Sequence, residues 1–379
     1  MIKFPVVIIG AGPAGASCAY QLSKFGIDNA ILEKESLPRP KVCAGGITAR
    51  INKLFDFDIT CLVHRQVRQI LFSYEMKEKF ILSWPDPFIY TIERANFDYY
   101  LAQKAAEKGT KIYDNTKVEK VEGENIYTNK GVFKAHYVVD AGGAGSFLSK
   151  KIQVKRRWAK TLQADVKVPL DILEKYNEKI RADLNRVPLG WAWVFPKKDH
   201  LTVGIGCMTR STKRYQLVSL LKIYLDFLFP VYEKIKVASY PISLPSWTNK
   251  VAKDNFLLIG EAGNFVDPLS GEGIFWGIKS GKLAADFLIK SIVEEKKNCE
   301  EFNKIAQKEI FYYLRVLFLI SAFFYRMPSF FLDWAKKSNR VREYFAKMLQ
   351  GKLTAERLFN FLPKDNLYSN LTRQGLRDG

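Results

Sequence analysis

The chain is poor in the residues that build metal sites and disulfide frameworks. Its 379 residues include three histidines, far apart in sequence, and five scattered cysteines with no C-x-x-C pair. We therefore expect no metal site and no disulfide framework, but reduced thiols in a cytoplasmic protein. The chain also shows no internal repeat, which argues against solenoids and propellers. Because the first residues lead directly into an apolar run that reads as a buried strand, we expect no signal peptide.

Long uncharged runs are lacking as well. In the most aromatic region, residues 310–332, only ten residues separate Arg315 from Arg326, whereas a membrane-spanning helix needs about 20 apolar residues. Residues 310–332 therefore form either a buried helix or an interfacial helix that lies on a membrane.

Acidic residues are scarce relative to basic ones. The chain has 39 Asp and Glu against 59 Lys and Arg, a formal net charge of +20. The basic residues are dispersed and no nucleic-acid motif is present, so we expect no nucleic-acid partner. An anionic membrane surface, a diphosphate-bearing substrate or simple solubility would each account for the charge. The basic tail at 334–379 is either a site for headgroups or diphosphates or a solvated helical surface.

The N-terminal region has the pattern of a strand, a glycine turn, a helix and a second strand. An apolar run meets the G-x-G-x-x-G of residues 10–15, and Glu33 ends the second strand, 18 positions after Gly15. Gly10 allows the tight turn, Gly12 lets the backbone approach a pyrophosphate, and Gly15 permits close helix packing. Glu33 is placed to accept hydrogen bonds from an adenosine ribose. The pattern predicts a dinucleotide-binding unit.

The spacing of apolar residues predicts the secondary structure of the rest of the chain. It predicts a helix over 95–108, a last buried strand over 256–259 and a helical pattern from about 277 onward. Short strands are expected at 111–113, 117–121, 125–127, 131–134 and 137–139. Alternation between 160 and 247 indicates a mostly antiparallel sheet.

The expected fold is therefore α/β. It has a Rossmann-like dinucleotide-binding domain, an inserted mostly antiparallel β-sheet substrate domain and a C-terminal helical region. The predicted boundaries are 1–55, 94–155 and 251–290 for the first domain, 56–93 and 156–250 for the second, and 291–379 for the helical region.

Four segments follow the order found in flavoproteins of the aromatic-hydroxylase type. They are the glycine turn with Glu33, R-A-N-F-D at 94–98, D-A-G-G at 140–143 and G-E-A-G-N at 260–264. The chain resembles that superfamily over nearly its whole length. One departure is Gly142, which stands where the hydroxylases carry an aspartate.

Within this superfamily the chain resembles the geranylgeranyl reductase family. P-L-G-W-A-W-V-F-P at 188–196 is similar to the family's P-x-x-Y-x-W-x-F-P, with Trp191 in place of tyrosine. P-L-S-G-E-G-I at 268–274 is similar to its S-G-E-G-I segment. K-V-C-A-G-G at 41–46 is close to its K-x-C-G-G, with Ala44 where glycine is usual.

The resemblance implies FAD as the cofactor. Arg94 would approach its phosphates or ribityl chain, Val118 would offer its backbone to adenine, and Glu261 would face a ribityl hydroxyl. Gly271 and Gly273 would place a helix N-terminus near the flavin ring, while Asp98 would serve the first turn of its own helix. The expected cofactor-binding residues are Gly10, Gly12, Ala14, Gly15, Glu33, Cys43, Ala44, Gly46, Arg94, Val118, Glu261, Gly271, Gly273 and Ile274.

Two groups of residues each have more than one expected role. Cys43 is expected to be a buried structural thiol, a flavin contact or a catalytic residue. Trp191, Trp193 and Phe195 would share one face of a strand, either as part of the core or, with Pro196, as a substrate-binding wall for an apolar chain.

The function implied is FAD-dependent reduction of carbon–carbon double bonds in a geranylgeranyl or polyprenyl chain during lipid biosynthesis. Reduced flavin would deliver hydride from N5. Because the chain has a single G-x-G-x-x-G, an external donor, ferredoxin or NAD(P)H, would supply the electrons. One alternative is a flavin monooxygenase or halogenase, since residues 191–196 also resemble the W-x-W-x-I-P segment of the halogenases. The other is a non-enzymatic or electron-relay flavoprotein docked on a membrane or on a redox partner. The expected location is the cytoplasm, either free or peripheral at a membrane.

Overall fold

The computed structural model describes residues 1–187, 189–208, 214–245, 250–296 and 298–359, so Pro188 and residues 360–379 of the predicted basic tail lie outside the described part. The strands of this part are β1 (Ile2–Ile9), β2 (Asn29–Leu32), β3 (Gly46–Thr48), β4 (Val63–Val67), β5 (Gln69–Tyr74), β6 (Lys77–Ser83), β7 (Ile89–Ile92), β8 (Lys111–Tyr113), β9 (Val118–Glu122), β10 (Asn125–Thr128), β11 (Gly131–Asp140), β12 (Arg157–Lys167), β13 (Lys179–Leu184), β14 (Gly190–Pro196), β15 (Leu201–Cys207), β16 (Glu233–Leu244), β17 (Ala252–Lys253) and β18 (Phe256–Leu258). Its α-helices are α1 (Pro13–Lys24), α2 (Arg94–Glu107), α3 (Leu148–Lys151), α4 (Leu170–Glu174), α5 (Arg214–Leu228), α6 (Ile274–Val293), α7 (Glu301–Ala306), α8 (Tyr312–Arg326), α9 (Pro328–Lys337), α10 (Asn339–Leu349) and α11 (Ala355–Phe359).

An eight-stranded sheet forms the dinucleotide-binding part of the fold. Its main path runs β17-β18-β11-β1-β2-β8, and β9 and β10 extend from β11. The strands from β18 to β8 are parallel, and residues 6–8 of central β1 are fully buried. A central parallel strand is covered on both faces, which explains its continuous apolar run.

One strand replaces two that the sequence pattern predicted. The expected strands at 131–134 and 137–139 are a single strand, β11, which pairs with β1 along most of its length. Its first half also pairs with β10 and its last residues with β18. The exposed His136 interrupts the apolar pattern, but backbone pairing with β1 continues past it.

Small residues hold α1 and α6 close together. A methyl group added at Gly281 would overlap the backbone oxygen of Ala14, and one at Gly260 would lie 2.8 Å from the Ala14 Cβ. Gly277, in the first turn of α6, also faces Ala14. The N-terminal turns of both helices are therefore neighbours.

A seven-stranded sheet forms the second part, in the order β16-β12-β15-β14-β13-β5-β6. Its neighbours are antiparallel except β13 and β5, which are parallel. Helix α5 packs its Leu221 and Tyr224 against one face, where Ala192 and Val194 lie. Strands β3, β7 and β4 form a separate small sheet. The predicted α/β class and mostly antiparallel second sheet are confirmed, while the domain boundaries stay a prediction.

Helices make up most of the described part of the chain from Ile274 onward. A π-helical turn, Gln307–Phe311, joins α7 to α8. Helix α8 buries Leu314, Leu317 and Phe324, as expected for a buried helix, while Phe330 of α9 is exposed. No single helix among the described residues is long and apolar enough for a membrane span, although the bent pair Glu301–Arg326 and Pro328–Lys337, 99° apart, passes such a test jointly.

Candidate active site and cofactor cradle

A continuous cavity of about 1580 Å³ lies between the two large sheets. One part, the cofactor cradle, is lined by the glycine turn, Glu33, residues 41–46, β9 with Val118, and the loops that begin at Asp140 and Gly260. The other part we call the apolar chamber. Its lining residues are Ile70, Phe72, Ile180, Ala182, Leu184, Trp191, Trp193, Phe195, Tyr313, Leu317, Phe324, Tyr325, Phe345, Met348 and Leu349.

The glycine turn has the open geometry that a pyrophosphate requires. Gly10 has a φ of +101°, and a methyl group at Gly15 would overlap the backbone oxygen of Gly10. Near Gly12, the Arg39 guanidinium is the group closest to an added methyl, at 3.6 Å. Ala14 follows at the start of α1, whose free N–H groups and dipole favour an anion. The predicted roles of the three glycines fit this geometry.

Glu33 lies in the cradle with its carboxylate partly engaged. Oε2 accepts from the Ala11 N–H at 2.9 Å and pairs with the Arg39 Nε at 3.1 Å. Oε1 accepts from the Glu35 N–H at 3.2 Å, and only 3% of Glu33 is exposed. Each carboxylate oxygen has two lone pairs, so the carboxylate retains capacity for a ribose hydroxyl.

Asp98 has a different role from the expected one. Its carboxylate accepts from Arg94 at 2.8 and 2.9 Å and from Arg39 at 3.3 Å, rather than serving the first turn of α2. Burial opposes the charge of Arg94, but Asp98 and the adjacent Cys43 sulfur raise its pKa above the ordinary value. Asp98 therefore holds two arginines in the cradle. Sequence motifs did not mark Arg39.

Residues 43–46 form a loop clamped from behind by a buried lysine. The Lys197 Nζ donates to the backbone oxygens of Ala44 at 2.8 Å and Ile92 at 2.6 Å. Gly45 has a φ of +69°, and a methyl group there would overlap this ammonium group. The conformation that needs glycine is therefore at 45, which explains why Ala44 is accommodated. Cys43 lines the cavity beside Arg94.

Asp140 organises the next loop of the cradle. Its carboxylate accepts from the Gly142 N–H, the Ser146 hydroxyl and the Leu148 N–H, at 2.8, 2.8 and 2.9 Å. A Cβ at Gly142 would lie 2.9 Å from the Asp140 Oδ1. Asp140 thus occupies the space that a side chain at 142 would need, which explains the departure from the hydroxylase motif.

Glu261 reaches from the Gly260 turn toward β16. Its carboxylate accepts from the Ser243 N–H at 2.9 Å and the Tyr240 hydroxyl at 3.1 Å. Burial raises the pKa of Glu261, against the effect of these donors and of Lys41. The Lys41 Nζ lies 3.4 Å from the Tyr240 ring centroid, and burial lowers the pKa of Lys41 to about 8. The expected ribityl contact of Glu261 stays a prediction.

The N-terminus of α6 is fixed by a buried ion pair. Gly271, Gly273 and Ile274 line the cavity at this end. Between them, Glu272 accepts from Thr48 at 2.9 and 2.6 Å and pairs with Arg50 at 2.5 Å. These contacts join the start of α6 to β3, where a helix dipole would face the cradle. Arg50 was not among the predicted site residues.

The aromatic residues of β14 form one wall of the apolar chamber. Trp191, Trp193 and Phe195 all line it, as the strand alternation predicted. A methyl group at Gly204 on β15 would overlap the Trp193 indole, and one at Gly46 would overlap the Phe195 ring. The small residues therefore make room for the rings. Pro196 ends β14 and is absent from the described residues that line the cavity.

These residues fit FAD. The glycine turn provides room for a pyrophosphate, Glu33 a ribose acceptor, and the start of α6 a positive helix end. Comparison with known proteins agrees. A family model described as an FAD binding domain matches residues 3–215. The digeranylgeranylglycerophospholipid reductase of Methanococcus vannielii is 30% identical over 325 residues, covering 79% of this chain and 80% of that protein.

Solved structures share the fold. The geranylgeranyl bacteriochlorophyll reductase-like protein of Thermoplasma acidophilum superposes with a TM-score of 0.81 at 20% identity, covering 98% of this chain and 99% of that chain. A flavin-dependent brominase has a TM-score of 0.75 at 19% identity and covers 100% of both chains. The family model and the reductase relative show membership of a family as well as a shared fold. The chain belongs to the geranylgeranyl reductase family of FAD-dependent oxidoreductases.

Proposed function

We propose that the protein reduces carbon–carbon double bonds of a geranylgeranyl or polyprenyl lipid. The observation that carries this proposal is the apolar chamber, the part of the cavity beside the cofactor cradle that aromatic and aliphatic side chains line. An uncharged prenyl chain suits such a wall, because burying it gains about 25 cal/mol per Å². The name of the Methanococcus vannielii relative supports the same substrate class.

The residues of this chain would position the reacting groups and exclude water from them. FAD, when bound and reduced, supplies a hydride. Phe195 packs against Gly46, so the aromatic wall and the 43–46 loop meet at the junction of cradle and chamber. This junction would hold an alkene beside the cofactor and exclude water, which makes the encounter effectively unimolecular. The N-terminus of α6 stabilises negative charge in the cradle.

An anaerobic single-turnover experiment tests the proposed function. Protein reduced with dithionite is mixed with geranylgeranyl lipids, and the saturated phytanyl lipid is the control. We expect reoxidation of the flavin and a product heavier by two hydrogens only with the unsaturated lipid. Reoxidation that requires oxygen and yields a hydroxylated or halogenated product would favour a monooxygenase or halogenase instead. The absence of reoxidation by every prenyl lipid would favour an electron-relay flavoprotein.

The electron donor is external in this proposal. Reduction of the bound flavin by NADPH and by reduced ferredoxin, followed at 450 nm without oxygen, distinguishes the two donor classes.

Glu33→Ala should weaken FAD binding. The carboxylate provides a charge-assisted acceptor for the ribose and also orders Ala11 and Arg39, so we expect a loss of about 1–3 kcal/mol. Titration of apoprotein with FAD, followed by fluorescence quenching, measures it. Glu107→Ala, an exposed change on α2 outside the cavity lining, is the control. Equal affinity of Glu33→Ala and wild type would show that Glu33 is not the ribose acid.

The protein should bind anionic vesicles more tightly than neutral ones, and more weakly as salt rises. Phe330 and Met327 are exposed, and Lys336 and Lys337 occupy the last turn of the same helix, α9. Salt screens attraction between such lysines and headgroups. Vesicle cosedimentation measures binding. Phe330→Ser is expected to weaken it, and Phe25→Ser, at an exposed position just after α1, is the control. Equal binding to both vesicle types at all salt concentrations would contradict the electrostatic contribution.

A further inference from the structure

Strand β13 forms the floor of the apolar chamber, and its side chains are smallest at its centre. Ile180, Ala182 and Leu184 line the chamber, as expected for alternate residues on one face of a strand. On the opposite face, Arg181 pairs with Asp183 at 2.6 Å, which fixes which side of β13 faces the cavity. Ala182 is 5% exposed and has the smallest side chain among the described residues that line the chamber.

Two aromatic side chains flank Ala182 and lean away from it. The register of the sheet places Phe72 of β5 on one side and Trp193 of β14 on the other. A methyl group at Gly204 would lie 2.4 Å from the Trp193 indole, so this ring lies over β15. The Phe72 ring stacks on that of Phe80 of β6, with centroids 5.2 Å apart. A groove therefore runs along β13 between the two rings.

This groove is narrow. Both β5 and β14 are neighbours of β13, so the backbones of Phe72 and Trp193 are about 10 Å apart, twice the usual spacing between strands. The two rings take up part of this distance. Phe324 of α8 and Phe345 of α10 line the chamber as well, and the Phe345 ring contacts Phe72 edge-on at 5.7 Å. A single linear hydrocarbon chain suits such a groove better than a ring does.

The groove leads from the protein surface to the cofactor. Phe195 packs against Gly46 at the junction of cradle and chamber, and Trp193, Trp191 and Leu189 follow on the same face of the strand. Leu189 lines the cavity and is 47% exposed, so the cavity reaches the surface at this end. At about 3.4 Å per residue, Leu189 is about 20 Å from Phe195. A chain that enters at Leu189 passes the position of Ala182 before it reaches the junction.

We propose that Ala182 is a specificity-determining residue that admits a linear prenyl chain, with the end remote from its headgroup first. This inference rests on the proposed function. The headgroup, or a ring attached to it, would stay at the Leu189 end while the chain lies between Phe72 and Trp193. A larger side chain at position 182 would fill the groove and keep the alkene from the junction.

Replacement of Ala182 by Val, Leu and Phe tests the dependence on side-chain size. We expect prenyl-dependent anaerobic flavin reoxidation to slow along this series, by about 100-fold or more for Ala182→Phe, because a misplacement of about 1 Å can cost that factor. FAD content and urea unfolding establish that each variant is folded, and Ala182→Val keeps the test available if the larger residues disturb the sheet. Ala238→Phe, on β16 of the same sheet but outside the cavity lining, is the matched control and should turn over like wild type.

Binding of lipids that cannot react separates selection from turnover. Oxidised holoenzyme is dialysed to equilibrium against the saturated phytanyl lipid in detergent micelles. It is also dialysed against a saturated lipid of equal carbon number whose chain ends in a cyclohexyl ring. We expect the ring-ended lipid to bind wild type at least tenfold more weakly than the phytanyl lipid, and Ala182→Leu to bind the phytanyl lipid at least tenfold more weakly than wild type.

Two results would overturn the assignment while leaving the reductase function intact. One is equal binding of the ring-ended and linear lipids, and the other is a folded, FAD-replete Ala182→Leu enzyme with wild-type turnover. Wild-type enzyme that selects the linear lipid as expected but reduces no prenyl lipid would overturn the proposed reaction and not the selection of linear chains.

Discussion

Trp193→Ala is expected to slow prenyl-dependent flavin reoxidation by about 100-fold or more while FAD content stays close to wild type. The indole is 6% exposed and lies across Gly204 and Gly206 on β15, so its removal widens the chamber that would hold the alkene in the proposed function. A misplacement of about 1 Å can cost about 10²-fold in rate. Anaerobic stopped-flow with reduced enzyme measures the effect.

Folding must be checked in this variant. Truncation of a buried aromatic residue costs about 3–5 kcal/mol of stability, so urea unfolding accompanies the kinetics. Trp193→Phe should be milder, because it keeps most of the apolar surface. Trp158→Ala, on β12 of the same sheet but outside the cavity lining, is the matched control. A folded, FAD-replete Trp193→Ala enzyme with unchanged turnover would make the motif a packed core strand and strengthen the halogenase and monooxygenase alternatives.

Glu272→Ala should give a large loss of stability. The change leaves the Arg50 guanidinium buried without its carboxylate, and breaking a buried ion pair in this way costs about 3–5 kcal/mol. FAD affinity should fall too, because Glu272 joins the start of α6 to β3 through Thr48. Urea unfolding of apoprotein and holoprotein separates the two effects.

Two comparisons make this result specific. Lys24→Ala removes a partner from the exposed pair with Asp56 and should cost only about 0–1 kcal/mol. The double change Arg50→Met and Glu272→Met should cost less than Glu272→Ala, because no unpaired charge stays buried. A Glu272→Ala protein as stable as Lys24→Ala would show that the pair contributes little.

The cofactor cradle was predictable because its signals are local. The turn at 10–15 and Glu33 belong to one strand-turn-helix-strand unit, so their spacing in sequence nearly fixes their spacing in the fold. The shared face of Trp191, Trp193 and Phe195 follows in the same way from the two-residue period of a strand.

The residues that support the cradle were not predictable in this way. Lys197 and Ala44 are 153 positions apart, and Arg50 and Glu272 are 222 positions apart. Such contacts arise from how the two sheets and α6 pack, which no short pattern encodes. Asp98 was misassigned for a related reason. The dipole argument considered only the backbone of its own helix, whereas Asp98 pairs with two side chains, Arg94 on that helix and Arg39 from a distant loop.

The junction of cradle and chamber has a consequence for the reaction of the reduced flavin with dioxygen. Because both belong to one cavity, a lipid chain that fills the chamber also occupies space through which dioxygen would reach the reduced cofactor. Loaded enzyme should therefore release less hydrogen peroxide per electron consumed than lipid-free enzyme. In an aerobic cell the bound substrate would then protect the reduced flavin from dioxygen. Oxidation of the flavin without reduction of a lipid would be fastest when prenyl lipid is scarce.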